Sequence, residues 1–327
     1  MPRPLATIIL IAACCLGATL AQAAGLQFIE VPADADGLAL KGMAWTPCTA
    51  APSEVALGRG VIVPGVKDCP VAGNRLPLIV VSHGRRGSFL THNDTAAALA
   101  DAGFVVAAIS HPGDNARDSS RTDEFSVLMQ RPTDMKRLTS FMLGAWKEAA
   151  VLDPRRIGLF GFSRGAYTGL VVIGGNPDFG ALARLCEREG GTTPKCRDIR
   201  EGRMPTEPAV HDPRVRAAIL ADPPLLDGLF SRERLADLTI PIMLWRSALG
   251  GDGVTPDAVD ALEALLPARP DYRIVPNSAH FSFIAPCAPE LAETAPILCT
   301  DPPGFNRKAF HDEFNGAVVA FFRARLE

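Results

Sequence analysis

The sequence predicts an α/β fold in which a mostly parallel central sheet is covered by helices on both faces. Mainly apolar runs of strand length recur along the chain, and such runs are typical of parallel strands buried on both sides. Segments with apolar residues at helical spacing lie between them. A chain of 327 residues, 47% of them hydrophobic, can form one large core. The predicted strands are residues 78–81, 104–109, 157–162, 215–220, 240–245 and 272–275, and the predicted helices include residues 95–102, 135–150, 257–266 and 310–326.

Residues 1–23 have the pattern of an export signal, which leaves residues 24–327 as the mature domain. Arg3 gives a positive start, a mainly apolar run follows, and residues 21–23 are Ala-Gln-Ala, a typical cleavage site. The run is too short and too rich in small residues for a stable membrane span. An alternative is a lipoprotein signal in which Cys14 becomes the lipid-bearing N-terminus. Both interpretations predict an exported protein, either periplasmic or secreted.

Six cysteines remain after the signal, and they form three close pairs along the chain. An even number of cysteines in an exported protein indicates disulfides. Because each pair lies in a loop-like stretch rich in proline or glycine, we expect each cysteine to bond with its neighbour in the sequence. The predicted disulfides are Cys48–Cys69, Cys186–Cys196 and Cys287–Cys299.

The charge and the ligand spacing argue against two classes of function. The formal net charge is −3 at pH 7, whereas a nucleic-acid-binding domain needs a basic field. No Cys-x-x-Cys or paired-histidine spacing indicates a metal site. We therefore expect no nucleic-acid partner, no metal and no cofactor, and a small-molecule or lipid-like substrate. The sequence leaves the oligomeric state open.

The most informative motif is Gly161-x-Ser163-x-Gly165, which follows an apolar strand and precedes a predicted helix. This is the pattern of a nucleophile elbow, a sharp turn that exposes a serine hydroxyl at the end of a sheet. Small residues are needed on either side because strand and helix pass close together there. The motif predicts that Ser163 is a catalytic nucleophile.

Candidates for the acid and the base follow Ser163 along the chain, the acid first and the histidine second, which is the order expected for such a serine. His280 lies on a loop after the last predicted strand and would accept the Ser163 proton. Asp252 follows the strand before it and is our preferred acid, which would hold the imidazole. Asp222, at the end of the preceding strand, is the alternative, because some related enzymes take their acid from that position.

Two backbone N–H groups are candidates for an oxyanion hole. Arg85 lies in a glycine-rich loop after a predicted strand, and Arg164 directly follows the nucleophile. We expect His83 to be a structural histidine that braces this loop, and His92 to have a weaker claim to function. A guanidinium of Arg164 at the mouth of the site would favour anionic or polar substrates.

Three less regular segments surround these motifs. Residues 26–31 and 38–45 predict a hairpin at one edge of the sheet, with residues 61–63 as a possible extra strand. A polar loop is expected from His111 to Pro132, bordering the substrate site, with Asp114 as a bracing residue. Residues 174–213 are rich in glycine, proline and charge, and predict a small cap or lid insertion.

With these motifs, the chain resembles the α/β-hydrolase superfamily. More narrowly, it is similar to exported bacterial proteins described as predicted dienelactone hydrolases and related to platelet-activating-factor acetylhydrolases. The resemblance implies hydrolysis of an ester, and in the acetylhydrolases the acid is at the position matching Asp222. True dienelactone hydrolases carry a cysteine where this chain has Ser163. The residues that carry the resemblance are 82–84 (Ser-His-Gly), 111–113 (His-Pro-Gly), Arg131-Pro132-x-Asp134, 161–165, 279–283 and 299–304.

Together these observations predict an exported serine hydrolase that cleaves carboxylic esters through an acyl-enzyme on Ser163. One alternative is a peptide or amide hydrolase that uses the same three residues. Another is a binding protein that keeps the fold without catalysis, although no member of the Ser-His-Asp set is missing from the sequence.

Overall fold

The structure is a computed structural model that describes residues 23–58, 61–224 and 229–327. The predicted signal peptide, apart from its last residue, and the lipoprotein alternative at Cys14 lie outside the described residues. The described strands are β1 (Ala23–Val31), β2 (Leu40–Cys48), β3 (Ser53–Gly58), β4 (Val61–Lys67), β5 (Leu76–Ser82), β6 (Val105–Ser110), β7 (Leu152–Phe162), β8 (Val215–Ala221), β9 (Ile242–Ser247) and β10 (Asp271–Val275).

These strands form one sheet in the order β10-β9-β8-β7-β5-β6-β2-β1-β4-β3. The pairs from β10 to β6 are all parallel, whereas β6–β2, β2–β1 and β4–β3 are antiparallel. Because the parallel strands run in one direction, their carboxyl ends lie along a single edge of the sheet. The mostly parallel sheet predicted from the apolar runs is confirmed.

Helices cover both faces of the sheet, as predicted. Successive strand residues point to opposite sides. Leu78 and Val80 therefore belong to the buried cluster that contains apolar residues of 125–143, 164–172 and 256–265, whereas Ile79 and Val81 belong to the cluster that contains those of 93–101 and 307–326. The described helices are α1 (Asn93–Asp101), α2 (Phe125–Leu143), α3 (Arg164–Val172), α4 (Phe179–Glu189), α5 (Pro194–Arg200), α6 (Pro256–Leu265), α7 (Pro289–Thr294), α8 (Pro296–Cys299) and α9 (Arg307–Leu326).

The N-terminal hairpin is not at the edge of the sheet. Strand β2 pairs with β6 and strand β1 pairs with β4, so a second hairpin, β3–β4, forms the outer edge. The sequence indicated only residues 61–63 as a possible strand, because proline and glycine interrupt the hydrophobic pattern of residues 46–75. The Cys48–Cys69 disulfide joins the end of β2 to the segment after β4.

Helix α2 begins at Phe125, ten residues before the predicted start at Met135, so Arg131 and Pro132 are helical rather than part of a loop. Proline normally disfavours a helix interior because it removes one N–H and leaves the carbonyl four residues earlier without its partner. Here the hydroxyl of Tyr167 donates to that carbonyl, on Leu128, at 3.5 Å. Tertiary packing thus replaces the missing helical bond.

The segment of residues 174–213 forms helices α4 and α5, which the Cys186–Cys196 disulfide connects. It packs against the start of α2, where Asp198 accepts the N–H of Phe125 at 3.3 Å. Its interpretation as a cap or lid stays a prediction. All three predicted disulfides are present. No helix within the described ranges is long and apolar enough to cross a membrane.

Candidate active site

Ser163 lies between β7 and α3 in a conformation that few non-glycine residues adopt. Its φ is 54° and its ψ is −123°, and backbone strain of this kind costs on the order of 1–3 kcal/mol. Its N–H donates to the carbonyl of Ala221 on β8 at 2.8 Å, and its own carbonyl accepts from Ala166 and Tyr167 in the first turn of α3. The surrounding hydrogen bonds therefore hold the strained turn in place.

The two glycines of the motif are required by close contacts. A Cβ at position 161 would lie 2.2 Å from the Gly165 carbonyl oxygen, and a Cβ at position 165 would lie 1.9 Å from the Ser82 carbonyl oxygen. Real Cβ atoms do not approach backbone oxygens so closely. Strand, turn and helix can therefore cross only if both positions are glycine, which explains the spacing seen in the sequence.

His280 forms a buried hydrogen-bonded pair with Asp222. The His280 Nδ1 and the Asp222 Oδ2 are 2.7 Å apart, and both side chains are buried. Ser247 supports the carboxylate: its N–H donates to Oδ1 and its hydroxyl to Oδ2, both at 2.8 Å. An ionised carboxylate only accepts hydrogen bonds, so the pairing places the imidazole proton on Nδ1 and leaves Nε2 as the basic nitrogen.

The structure does not bring our preferred acid, Asp252, to His280. Asp252 is exposed, and its φ of 47° places it in a tight turn closed by hydrogen bonds between Gly251 and Val254. The backbone next to that turn contacts the backbone of His280, because the His280 N–H donates to the Gly250 carbonyl at 2.8 Å. The alternative acid, Asp222, is the one in contact with His280.

Strand order explains why Asp222, rather than Asp252, lies near Ser163 and His280. Strand β8 lies directly beside β7, which leads into Ser163, whereas Asp252 follows β9, one strand further away. Asp222 also has a positive φ of 48°, and its N–H donates to the Trp245 carbonyl at 2.9 Å. The chain therefore turns sharply at the end of β8. The sequence signal for this turn was the Asp-Pro-Pro at residues 222–224.

The ring of His280 stacks on Phe162, the residue before the nucleophile, with ring centroids 4.7 Å apart. Its Nε2 is buried and has no hydrogen-bond partner among the described residues, Ser163 included. The loop after β5 lies against the same turn, since a Cβ at Gly84 would be 3.2 Å from the Ser163 Cβ. The structure thus gathers Ser163, His280, Asp222 and this loop at the carboxyl edge of the sheet.

The turn that carries His280, a 3₁₀ segment spanning His280–Phe283, is fixed from behind. The Ser282 hydroxyl donates to Asp301 at 2.8 Å, and the His311 Nε2 lies 3.0 Å from the Ser282 carbonyl. Arg307 binds the Asp301 carboxylate through two nitrogens, each at 2.9 Å. The histidine loop and the C-terminal helix α9 are therefore one hydrogen-bonded unit.

A buried charge network, not foreseen in detail from the sequence, joins the loop after β5 to Arg164, the residue after Ser163. The Asp114 carboxylate accepts from the guanidinium of Arg131 at 2.7 Å and from that of Arg164 at 2.8 Å. It also accepts the backbone N–H of Arg86 at 3.2 Å and the hydroxyl of Thr122 at 2.9 Å. Asp114 is fully buried, and the two arginines hold its pKa far below the usual range despite the opposing effect of burial.

The guanidinium of Arg164 is consequently not at the mouth of the site. It is almost completely buried and bonded to Asp114 and to the Thr122 carbonyl. Its backbone N–H belongs to the first turn of α3, where no acceptor exists within the helix. The side chain of Arg85, in contrast, is partly exposed and pairs with Asp123 at 3.0 Å.

His83 and His111 extend the same network and are both buried. The Nε2 of His83 accepts the His111 backbone N–H at 3.1 Å, which leaves its Nδ1 to donate to the Gly84 carbonyl. The Nδ1 of His111 faces Asp134 at 2.9 Å, and its Nε2 faces the Ser82 hydroxyl at 3.0 Å. Burial, followed by the charge of Arg131, lowers the pKa of both histidines, so they are neutral braces, as expected for His83.

His92 is also buried, and its ring packs edge-on against Phe160 and Phe162. Burial lowers the pKa of His92 to about 3. Burial has the opposite effect on a carboxyl group and raises the pKa of Asp134 to about 6. Within the described part of the chain, no cluster of His, Cys, Asp and Glu has the arrangement of a metal site.

A cavity of about 820 Å³ opens close to Ser163. Its lining includes Gly84, Phe162 and Phe281, which adjoin Ser163 and His280. Further lining residues belong to the β3–β4 hairpin and to the segment of residues 284–298. No described residue of the 174–213 insertion lines this cavity, so a lid role for the insertion gains no support from this geometry.

Comparison with known proteins adds one clear result. No family model and no curated protein matches the sequence. Among solved structures, a ferulic acid esterase from Streptomyces cinnamoneus matches with a TM-score of 0.64 over 95% of this chain and 91% of that chain. The chain has the α/β-hydrolase fold. The two sequences are 19% identical, and at that level the likeness shows the fold alone.

The buried histidines make folding stability depend on pH. As the pH falls below about 6.5, the unfolded chain protonates His83, His92 and His111, which the native state keeps neutral. Asp134 acts in the opposite direction, because the native state holds its proton up to a pKa of about 6. A net difference of about two protons lowers the free energy of unfolding by roughly 2–3 kcal/mol per pH unit near pH 5.

Urea unfolding between about pH 7 and pH 5 measures this effect. The Asp134→Asn variant should lose stability more steeply over the same range, because the opposing proton is gone. A free energy of unfolding that stays constant from about pH 7 to pH 5 would show that these histidines are protonated in the native state.

Proposed function

We propose that the protein is an exported serine esterase that hydrolyses carboxylic esters through an acyl-enzyme on Ser163. The observation that carries the proposal is the buried Asp222–His280 pair, whose Nε2 has no hydrogen-bond partner among the described residues. The imidazole stacks on Phe162, directly before a serine in a strained elbow. The fold shared with a ferulic acid esterase supports ester chemistry. The predicted signal and the three disulfides support export. We also propose the narrower relationship to the exported dienelactone-hydrolase-like group.

In the proposed mechanism, the Nε2 of His280 takes the proton of Ser163 as its oxygen attacks the ester carbonyl carbon. Collapse of the tetrahedral intermediate breaks the carbon–oxygen bond to the alcohol, which leaves with the proton from Nε2. Water then attacks the acyl carbon while His280 takes one of its protons. The bond to the Ser163 oxygen breaks, Nε2 returns the proton to that oxygen, and the carboxylic acid is released. Asp222 keeps the imidazole oriented and stabilises its protonated form. These steps use no metal and no cofactor.

We further propose that the N–H groups of Arg85 and Arg164 stabilise the oxyanion. Asp114 would position both, because its carboxylate binds the N–H of the next residue, Arg86, and the side chain of Arg164. Arg131 supports the same loop through the His83 carbonyl. An oxyanion donor contributes about 2.7–4 kcal/mol to the transition state only if it is held in place.

The Ser163→Ala variant tests the proposal. We expect it to lose at least about 10⁴-fold in kcat on p-nitrophenyl esters from acetate to long acyl chains, because the attacking oxygen is gone. Ser140→Ala, on the remote helix α2, is the matched control and should resemble the wild type. Turnover that survives in Ser163→Ala would make the elbow structural. Folded wild-type protein that cleaves no ester would favour amide hydrolysis or a binding role.

A comparison of Asp222→Asn with Asp252→Asn tests the identity of the acid. Asparagine at position 222 can donate to Nδ1 and so favours the wrong imidazole tautomer, which should lower kcat by about 10⁴-fold. Asp252→Asn should keep near-normal turnover, because the carboxylate is exposed. Circular dichroism checks that both variants fold. The reverse order of activities would return the role to Asp252.

The positioning role of Asp114 predicts a loss in kcat with little change in KM. Asp114→Asn removes the negative charge shared by both arginines and replaces one accepting oxygen with a donor, so kcat should fall by about 10²–10³-fold per folded site. Asp134→Asn is the matched control, since this buried carboxyl contacts neither Arg86 nor Arg164, and its kcat should stay within about threefold. Active-site titration counts folded sites. Equal losses of kcat in the two variants would contradict a specific role for Asp114.

A further inference from the structure

The cavity beside Ser163 has an unusual distribution of charge. Among the described residues that line it, four are cationic, Lys41, Arg85, Arg86 and Arg117, and one is a carboxylate, Asp118. The chain as a whole carries a formal charge of −3. The cavity is therefore locally positive on a molecule that is negative overall.

Three of these cations are available to a ligand. Arg85 is already paired with Asp123, but the structure gives Lys41, Arg86 and Arg117 no ion pair with any described residue, and all three are exposed. Neighbouring backbone elements hold them together. Lys41 is the strand partner of Ser110, which leads into the loop of Arg117, and that loop is bonded to the loop of Arg86 through the Ala116 N–H and the Gly87 carbonyl at 2.8 Å.

Apolar side chains form much of the remaining lining, together with neutral polar residues such as Ser88, Thr91 and Asn115. Phe162 and Phe281 lie next to the catalytic residues, and Leu57, Ile284, Leu291 and Leu298 continue the apolar surface. A cavity of about 820 Å³ is within the usual range for a small-molecule site. An apolar acyl or aryl group fits this surface, and an anionic group at the rim would meet Lys41, Arg86 and Arg117.

We infer that the site selects esters that carry an apolar body and a free anionic group, such as half-esters of dicarboxylic acids. The inference rests on the proposed esterase function and adds the substrate class. The Arg164 guanidinium was expected to favour anionic substrates, but it is bonded to Asp114. Three exposed cations on the cavity wall take that role instead. Guanidinium groups bind carboxylates and phosphates alike, so the shared chemistry is a compact oxyanion.

The test compares two esters of the same length and shape. One is the mono-p-nitrophenyl ester of suberic acid, which ends in a carboxylate, and the other is its primary amide, which is neutral. We expect the wild type to prefer the carboxylate in kcat/KM by severalfold, since an exposed ion pair changes affinity by roughly 1.5- to 5-fold. The preference should decrease at high salt, which screens exposed charges. A p-nitrophenyl ester with a terminal phosphate distinguishes a carboxylate site from a phosphate site.

The combined variant Lys41→Gln, Arg86→Gln and Arg117→Gln should remove most of this severalfold preference and bring the carboxylate-to-amide ratio close to one. The matched control neutralises Lys147, Arg216 and Arg325, which are exposed and do not line the cavity. It changes the net charge equally and should keep the ratio. A wild-type ratio of one or less, or an equal decrease in both variants, would overturn the inference.

Binding to Ser163→Ala separates this inference from the proposed function. Calorimetry with the uncleaved esters should show tighter binding of the carboxylate than of the amide, and the combined cation variant should abolish the difference. Selective binding with turnover that survives in Ser163→Ala would reject the proposed nucleophile and keep the anion site. Ester turnover that depends on Ser163 without any selectivity would reject the anion site and keep the esterase.

Discussion

The candidate site depends most on the hydrogen bonds and ion pairs made by the buried carboxylate of Asp114. It accepts from two guanidinium groups, a hydroxyl and a backbone N–H, so one anion joins helix α2, helix α3 and two loops at the end of the sheet. Burying such charges is costly unless every partner is in place. The main effect of the network is therefore to hold the loop beside Ser163 in one conformation, and its contribution to net stability is smaller. Its fixed dipoles and N–H groups would not need to reorganise as charge develops on a substrate oxygen.

The position of the candidate acid, Asp222, follows from the order of the strands. Strand β7, which leads into Ser163, has β5 on one side and β8 on the other, and the loop after β5 and the end of β8 both contact the elbow. Asp222 is in the first position after β8, where its φ of 48° directs the chain away from the sheet edge. Asp252 lies beyond β9, and its turn supports His280 only through the Gly250 carbonyl. The two aspartates thus have different relations to the same histidine, one through its side chain and one through the neighbouring backbone.

Much of the fold was predictable because its signals are local. Continuous apolar runs indicated the parallel strands, and the glycine spacing around Ser163 indicated a crossing of strand and helix that only glycine permits. Near-neighbour cysteines indicated the disulfides. The contact between Asp222 and His280, the start of α2 and the order of the N-terminal strands were not predictable in this way. At Pro132, the hydroxyl of Tyr167, which is distant in sequence, replaces the missing helical donor. Asp222 and Asp252 differ through strand neighbours that no local pattern specifies.

The cavity wall and the candidate base belong to one rigid unit at the end of the chain. Arg307 binds the Leu298 carbonyl at 2.9 Å as well as Asp301, and Asp301 in turn accepts from Ser282 in the turn of His280. The Cys287–Cys299 disulfide closes the same segment. An oxidising compartment keeps such a bond intact. The apolar wall is therefore fixed relative to His280 in the absence of a ligand. Binding there requires little further ordering of the protein, so the entropic cost that would lower the affinity is small. Selectivity then depends on the other groups that line the same cavity, and these include the cations Lys41, Arg86 and Arg117.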